Sequence, residues 1–447
     1  MPALVTAMFG LVVVGYVTTA SYLDRWNVTA PMVFTAVGTI IGVWFWAGTE
    51  TAVVHGIAEI TLALILFHDA AQVRPRQIRS DAGPCARLLL IGLPLTIVLG
   101  VFAAQLLMPG VGIWAALLLA AALAPTDAGL GAPTVLNPVV PMRIRRILNV
   151  ESGLNDGLAT PVVLFAIAAA AETEGGSVGV GSAVGAALVE LALGLVVGVL
   201  LGAGCGRLLA HADRRARLAT ELLTVATLAI PVAAYYGSVA LHANGFVATF
   251  VAGTAFAAAF TRPTARQPVV ADDAAEEPLQ LTAWVSTALG YAVWGLFGVI
   301  GVARLFLMVS WPGVIFAVLS LTVLRMLPVG IALLGSRFTS RTVLFVGWFG
   351  PRGLASVIFA LIAVEEWEVT DENRMIIGAI TVTVLLSVVL HGVTAAPGAD
   401  RYGRWVTATR PAQEVRSSPA PSGGRAAPHA RHLTPAGDGA GDGDQPG

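Results

Sequence analysis

The sequence predicts an all-α polytopic membrane protein of about 13 transmembrane helices, and three observations predict it. Of its 447 residues, 56% are hydrophobic and 12% charged, about half the charge of a soluble domain. Apolar runs of about 20 residues recur from the first residues to about residue 396, and a helix needs that length to cross ~30 Å of hydrocarbon. The runs are continuous rather than alternating, which excludes a β-barrel and leaves helices to satisfy the backbone in lipid. The spans fall near 2–21, 30–48, 51–68, 86–108, 111–132, 147–171, 180–204, 216–236, 239–260, 279–301, 309–334, 342–364 and 374–396.

The placement of arginine tests this count independently. All 26 basic residues other than histidine are arginine. Loops after odd-numbered spans and the C-terminal tail hold 22 of them, loops after even-numbered spans hold only Arg304 and Arg374, and Arg325 and Arg352 lie inside spans. Basic residues concentrate on the cytoplasmic side, so the N-terminus is expected outside and the C-terminus in the cytoplasm. A wrong span count would scramble the alternation.

Residues 2–21 lack the basic region of a cleavable signal peptide and read as an uncleaved first span. Two cysteines, Cys85 and Cys205, are too few for a disulfide scaffold or zinc ribbon, and both fall near the cytoplasmic face, where thiols stay reduced. A net charge of −1 excludes a strongly basic nucleic-acid binder. Residues 1–400 form the expected membrane domain and 401–447 a cytoplasmic tail. From Pro411 onward the tail holds six Pro, seven Gly, seven Ala and three Ser among 37 residues and is expected to be disordered.

An ionisable group inside a membrane span is costly, so each one points to function. Span 5 contains Pro125-Thr126-Asp127-Ala128-Gly129-Leu130-Gly131-Ala132-Pro133. Two prolines and two glycines around a carboxylate predict an unwound segment, whose freed carbonyls and half-helix ends coordinate ions. The simpler alternative is a kink with Asp127 capping the next turn. Span 6 opens with Asn149-Val150-Glu151-Ser152-Gly153-Leu154-Asn155-Asp156-Gly157. At helical spacing Ser152 and Asp156 share one stripe and Glu151 and Asn155 the next. Such hard oxygen ligands suit Na+, K+ or a proton rather than a soft transition metal. Span 12 is broken again at Gly347-Trp348-Phe349-Gly350-Pro351-Arg352-Gly353. Spans 5 and 12 are an odd number apart, so two repeats of about six spans would be inverted, and interrupted helices at matching positions mark a transporter's site. Arg352 is expected to neutralise Glu151; the alternative is an arginine satisfying broken-helix carbonyls.

Three stretches, Glu151-Ser-Gly-Leu-Asn-Asp-Gly-Leu-Ala159, Gly347-Trp-Phe-Gly-Pro-Arg-Gly-Leu-Ala-Ser356 and Leu390-His-Gly-Val-Thr-Ala-Ala-Pro397, resemble the bacterial monovalent cation:proton antiporters of the sodium/proton-exchanger type. The resemblance covers about residues 1–405. It implies thirteen spans in the cell membrane, a homodimer, and a core domain that moves as an elevator. Asp156 would take cation (Na+ or K+) and proton in turn, Asp127, Thr126 and Ser152 would complete the site, Asn155 would support it, and Glu151 would pair with Arg352. One departure is that many members read Ala-Thr-Asp-Pro in span 5, where this chain has Pro125-Thr126-Asp127-Ala128. Relatives that move net charge carry a second acid where this chain has Asn155, which implies electroneutral exchange. No resident cofactor is expected: the only nucleotide-like segment, Gly202-Ala-Gly204-Cys-Gly206, lies at the end of a span and reads as close helix packing.

Other groups are read structurally. His55 and Glu59 sit one turn apart in span 3 and satisfy each other, Glu190 and Arg325 are inter-helix pairing groups, and His242 and His391 are core or interface histidines. The acidic stretch Glu365, Glu366, Glu368, Asp371 and Glu372 forms a solvated outer loop. Three rival functions fit part of the sequence. An intramembrane aspartyl protease could use Asp127 and Asp156, but the Gly-x-Gly-Asp element is absent. A cation channel would need a repeated filter. A proton-coupled organic-anion transporter built on Arg352 and Arg325 is the most serious alternative.

Overall fold

The computed structural model describes residues 2–45, 51–73, 75–135, 137–175, 180–216, 218–260, 277–367 and 370–415. Among them every regular element is helical. The α-helices are α1 (Pro2–Asp24), α2 (Ala30–Phe45), α3 (Thr51–Gln72), α4 (Pro75–Arg87), α5 (Leu93–Leu107), α6 (Ile113–Ala122), α7 (Ala128–Val135), α8 (Met142–Gly175), α9 (Val180–Ala216), α10 (Thr220–Ala240), α11 (Gly245–Ala259), α12 (Gln280–Leu296), α13 (Trp311–Leu321), α14 (Val323–Ala332), α15 (Ser340–Trp348), α16 (Leu354–Glu366) and α17 (Asp371–Thr409). Among the described residues, eight helical segments are long and apolar enough to cross a membrane, and five further apolar helices are shorter. Each of the thirteen predicted spans coincides with one of these segments.

Three spans are interrupted by breaks. Span 5 is split into α6 and α7, span 11 into α13 and α14 at Thr322 (φ −118, ψ −93), and span 12 into α15 and α16. Proline explains part of this pattern, because it removes a backbone donor and crowds the preceding turn: Pro125 lies in the first break, Pro328 in α14 and Pro351 in the third. Spans 4 and 10 stay continuous but widen into π-helix at Leu88–Gly92 and Phe297–Gly301.

The core forms around the alanine-rich α6, whose residues Ala115, Ala116 and Leu118–Ala122 are all buried. Small residues let helices approach closely where no hydrophobic effect drives them together. A β-carbon at Gly202 of α9 would lie 2.2 Å from the Ala252 carbonyl oxygen of α11, and one at Gly198 would lie 2.5 Å from that of Ala248. The predicted packing role of the Gly202 segment therefore holds at Gly202. The opposite face of α9 is apolar and exposed, with Leu188, Val189, Val196 and Leu200 outward.

The boundary expected at residue 400 shifts. Helix α17 runs unbroken to Thr409 and ends on Arg410 in the left-handed region (φ 45). The next residues fold back onto the body. Glu414 is buried and accepts hydrogen bonds from the Thr339 amide (2.9 Å), the Thr339 hydroxyl (2.9 Å) and the Thr342 hydroxyl (2.7 Å), which caps the N-terminus of α15. Arg143 donates to the Gln413 carbonyl and to Asp81, at 2.8 Å in the latter case. Burial would push the Glu414 carboxyl up, but these donors hold it below the usual glutamate range. Residues 401–415 thus belong to the helical body, and the rest of the expected tail lies outside the described residues.

Candidate functional site

The breaks in spans 5 and 12 cross. Leu123–Asp127 joins α6 to α7, Phe349–Gly353 joins α15 to α16, and the Asp127 amide donates to the Pro351 carbonyl at 2.8 Å. The Asp127 carboxylate then serves both half-helices. Its Oδ1 accepts from the amides of Gly129 (2.6 Å) and Leu130 (3.1 Å) at the start of α7, and its Oδ2 from the amide of Leu354 (2.7 Å) at the start of α16. Orphan amides and the positive end of the helix dipole both favour an anion there. The capping alternative for Asp127 is what the geometry displays, extended to two helices. Gly353 follows from this: a β-carbon on it would sit 1.9 Å from Asp127 Oδ2.

Arg352 lies at the crossing and is 0% exposed. Its guanidinium donates to the carbonyls of Ala124, Pro125 (3.0 Å) and Ser320 (3.4 Å), and its amide donates to Ser387 Oγ at 2.7 Å. It satisfies carbonyls of the break that follows α6, as Asp127 satisfies the amide ends of α7 and α16, while the Ala122 carbonyl at the end of α6 itself accepts from Ser356 Oγ. The expected Glu151–Arg352 pair is therefore replaced: Glu151 pairs with Arg325, 2.6 Å from Nη1 to Oε1, with both side chains buried. The physical reason is that Arg325, near the start of α14, lies within reach of Glu151 on α8. Arg352, inside the break of span 12, meets free carbonyls first.

The face of α8 toward the crossing carries Ser152, Asn155 and Asp156. Ser152 Oγ donates to the Thr126 carbonyl, and Asn155 Nδ2 donates to Thr126 Oγ1 at 2.7 Å. Asn155 thus joins Ser152 on Thr126, while Glu151, one turn before it on the same helix, meets Arg325. Asp156 is 8% exposed, and no described residue donates a hydrogen bond to its carboxylate. Asn155 Oδ1 is buried beside it with no partner. Buried acceptors are normally satisfied, and Asn155 Oδ1 is one that no described residue satisfies.

A third carboxylate joins them that the sequence reading did not single out. Asp69, near the end of α3, packs on α8 where a β-carbon at Gly153 would lie 3.6 Å from the Asp69 Cβ. Asp69 and Asp127 are the two carboxylates that act electrostatically on Asp156. The signal was an acid in Leu66-Phe67-His68-Asp69, one residue past the predicted end of span 3. Among the described residues no three His, Cys, Asp or Glu side chains form a metal-ligand set, so the donors here are mixed: carboxylates with hydroxyl, amide and carbonyl oxygens.

The remaining groups divide. His391 Nε2 donates to the Trp348 carbonyl at 2.9 Å, at the end of α15, and its Nδ1 lies 3.2 Å from Ser387 Oγ; it is a buried structural histidine as expected. His242 is exposed at a turn with φ 51 and not in the core. His55 meets Glu59 at 2.9 Å as expected and also contacts Glu365, while Tyr235 donates to Glu59. Glu365 and Glu372, which accepts from the Gly112 amide at 2.7 Å, are thus tied down rather than free in a loop; Glu368 lies outside the described residues. Glu190 is exposed on α9, and Arg325 alone is an inter-helix pairing group.

Comparison with known proteins points one way. The chain is 26% identical over 383 residues to a K(+)/H(+) antiporter, NhaP, of Alkalimonas amylolytica, covering 84% of this chain and 62% of that protein. It is 27% identical over 314 residues to a Na(+)/H(+) antiporter of Schizosaccharomyces pombe, covering 65% of each. The chain thus spans a little under two thirds of the length of these relatives. Its fold matches that of the sodium proton antiporter MjNhaP1 from Methanocaldococcus jannaschii, with a TM-score of 0.69 at 19% identity, covering 89% of this chain and 98% of that one. The family model described as sodium/hydrogen exchanger, transmembrane, matches residues 9–400, and the chain belongs to that family.

Proposed function

We propose that the protein is a secondary transporter, not an enzyme, that exchanges a monovalent cation, Na+ or K+, for H+ across the cell membrane, with cation and proton competing for Asp156. The observation that carries this is the unpartnered, buried Asp156 carboxylate beside a crossing of two broken helices. Burial disfavours the charged form of a carboxylate, so the group is stable there when a proton or a cation neutralises it, and one excludes the other. Ser152, Thr126, Asp69 and the carbonyls of the span 5 break offer the further oxygens a dehydrated Na+ or K+ needs. Alternating access then requires only that the site region move when Asp156 is neutral. Asn155 adds no charge, which supports one proton per cation and electroneutral exchange.

Thirteen spans with the N-terminus outside remain the reading that the arginine alternation supports. A homodimer rests on the family resemblance, with the exposed apolar face of α9 as a surface that lipid or a second copy would cover. The organic-anion alternative loses its basis, because Arg352 is committed to carbonyls and Arg325 to Glu151. The protease alternative loses Asp127, whose two oxygens cap two helices.

The test uses everted vesicles with an imposed pH gradient and a pH-sensitive dye, to which sodium, potassium and lithium chlorides are added in turn. Dequenching by a cation that disappears in Asp156→Asn supports the assignment and names the ion. No response to any of the three between about pH 6.5 and 9 refutes it. Exchange whose rate changes with an imposed membrane potential refutes electroneutrality.

A further inference from the structure

Span 10 does not close fully against spans 12 and 13. Between Phe297–Leu307, helix α16 and the first turns of α17 lies a cavity of about 440 Å3, within the size range of ligand sites. Its walls are apolar, among them Phe297, Leu361 and Ile377, and its rim includes the exposed Leu307 and Val364. It therefore opens onto the apolar outer surface of the protein. Two charged side chains line it, Arg304 and Arg374. These are the same two arginines that break the distribution described above: of 26, only they lie in loops after even-numbered spans. They come from loops about 70 residues apart in sequence and converge on one cavity. The lining backbone is also irregular, passing from π-helix at Phe297–Gly301 to 3-10 helix at Val302–Leu307, a departure often kept for function.

We propose that this cavity binds a phospholipid with an anionic headgroup, an acyl chain lying along Phe297, Leu361 and Ile377 and the phosphate between Arg304 and Arg374. Apolar walls joined by two guanidinium groups match that amphiphile better than a soluble anion. Guanidinium groups hold phosphate through paired hydrogen bonds. Arg374 meets Asp371 at 3.4 Å with both side chains more than half exposed, and such a surface pair is weak enough to yield to a phosphate. With the basic loops in the cytoplasm, the headgroup lies at the outer leaflet. Span 10 packs on α2 and α3, and α16 packs on α3 and on span 10 as well as on α6 and α8, so the lipid sits where α16 meets span 10. Binding does not depend on the exchange reading and is tested without transport.

Native mass spectrometry of the purified full chain, released from micelles with equal phosphatidylglycerol and phosphatidylcholine of the same acyl chains, reads retention directly. Wild-type protein should retain phosphatidylglycerol preferentially. Each interfacial arginine favours an anionic lipid roughly fivefold, so Arg304→Gln with Arg374→Gln should cost about thirtyfold. Ala360→Phe, which fills the cavity and keeps both arginines, should abolish retention while the variant still elutes as a folded, monodisperse species. Equal retention of the two lipids by wild-type protein, or an unchanged preference in the double variant, overturns the proposal. So does full retention by Ala360→Phe, which would place the lipid outside the cavity. If the arginine variant does not fold, glycerol phosphate decides: it should fail to displace the lipid at matched concentration, and displacement would mean an anion site without an acyl chain.

Discussion

Replacing Arg325 by methionine removes one half of the Glu151–Arg325 pair and isolates the other. The two side chains are almost wholly buried and 2.6 Å apart, and the remaining guanidinium nitrogens Nε and Nη2 of Arg325 have no partner. Glu151 is therefore the whole of Arg325's compensation. Breaking a buried pair from one side costs about 3–5 kcal/mol, because an unpaired charge stays behind. At roughly 2 °C per kcal/mol, Arg325→Met should lower the midpoint of a thermal melt in detergent by about 6–10 °C. Adding Glu151→Gln should restore most of the loss, since removing both partners of a buried pair is often neutral. The decisive comparison is Arg352→Met with and without Glu151→Gln. Here no restoration is expected, because Arg352 is bound to the Ala124 and Pro125 carbonyls. Restoration in the Arg352 background and not in the Arg325 background would falsify the assignment and reinstate the pair expected from sequence.

Gly353→Ala should abolish exchange and lower yield, since its β-carbon would lie 1.9 Å from Asp127 Oδ2; vesicle dequenching checks this, and near-normal activity would mean that Asp127 does not cap α16. Asp69→Asn should raise the cation concentration at half-maximal exchange by about tenfold, the effect of losing about 1.4 kcal/mol, while leaving the maximal rate within about a factor of two; loss of all activity would make Asp69 an exchanging group itself. For Glu414 the sign is that of a depressed carboxylate: its contribution is full above the ordinary glutamate pKa and is lost as pH falls through the lower folded value. Limited proteolysis near Arg410 should therefore accelerate at acid pH below about 4, and in Glu414→Gln the acceleration should vanish. Cleavage independent of pH in the wild type would remove Glu414 as the anchor.

Much of this architecture is legible in sequence because the membrane forces it to be. Hydrophobic length located the apolar helices, and Pro-Gly clusters located the breaks in spans 5 and 12. The third break, at Thr322, left no comparable signal: Leu321-Thr322-Val323-Leu324 contains no helix breaker, and the interruption precedes Pro328 by six residues. Arg325 lies three residues past that break and pairs with Glu151, a tertiary contact that spacing along either helix does not reveal. Helical spacing likewise placed Glu151 and Asn155 on one stripe, but positions 152, 155 and 156 are also one face, and only the crossing shows which face meets Thr126. Asp69 was missed because a span boundary drawn from hydropathy stops where the first charge appears, which is where a site at the end of a helix begins. At the C-terminus, a composition rich in Pro, Gly and Ala says nothing about Glu414, whose fit to the N-terminus of α15 is tertiary.

The charges at the crossing argue for a particular stoichiometry. Each helix end carries roughly half an elementary charge. The N-termini of α7 and α16 together amount to about one positive charge, and Asp127 sits on both. The carbonyl ends of α6 and α15 amount to about one negative charge; Arg352, bonded to the carbonyls just past α6, lies at the first and the ring N–H of His391 answers the second. Glu151 and Arg325 cancel each other. The broken helices are thus balanced without Asp156, and neither Asp127 nor Arg352 can change its charge without unbalancing them. What remains at the centre is Asp156, with Asp69 at the less buried approach. Under the proposed competition Asp156 holds one proton or one monovalent cation while Asp69 keeps the same charge, so the loaded site would carry the same charge in both directions of transport. A second acid in place of Asn155 would break that equality, and Asn155→Asp should accordingly make exchange sensitive to an imposed potential. Vesicles clamped with valinomycin check this, and transport by Asn155→Asp that ignores the clamp would mean that position 155 does not share the site's charge.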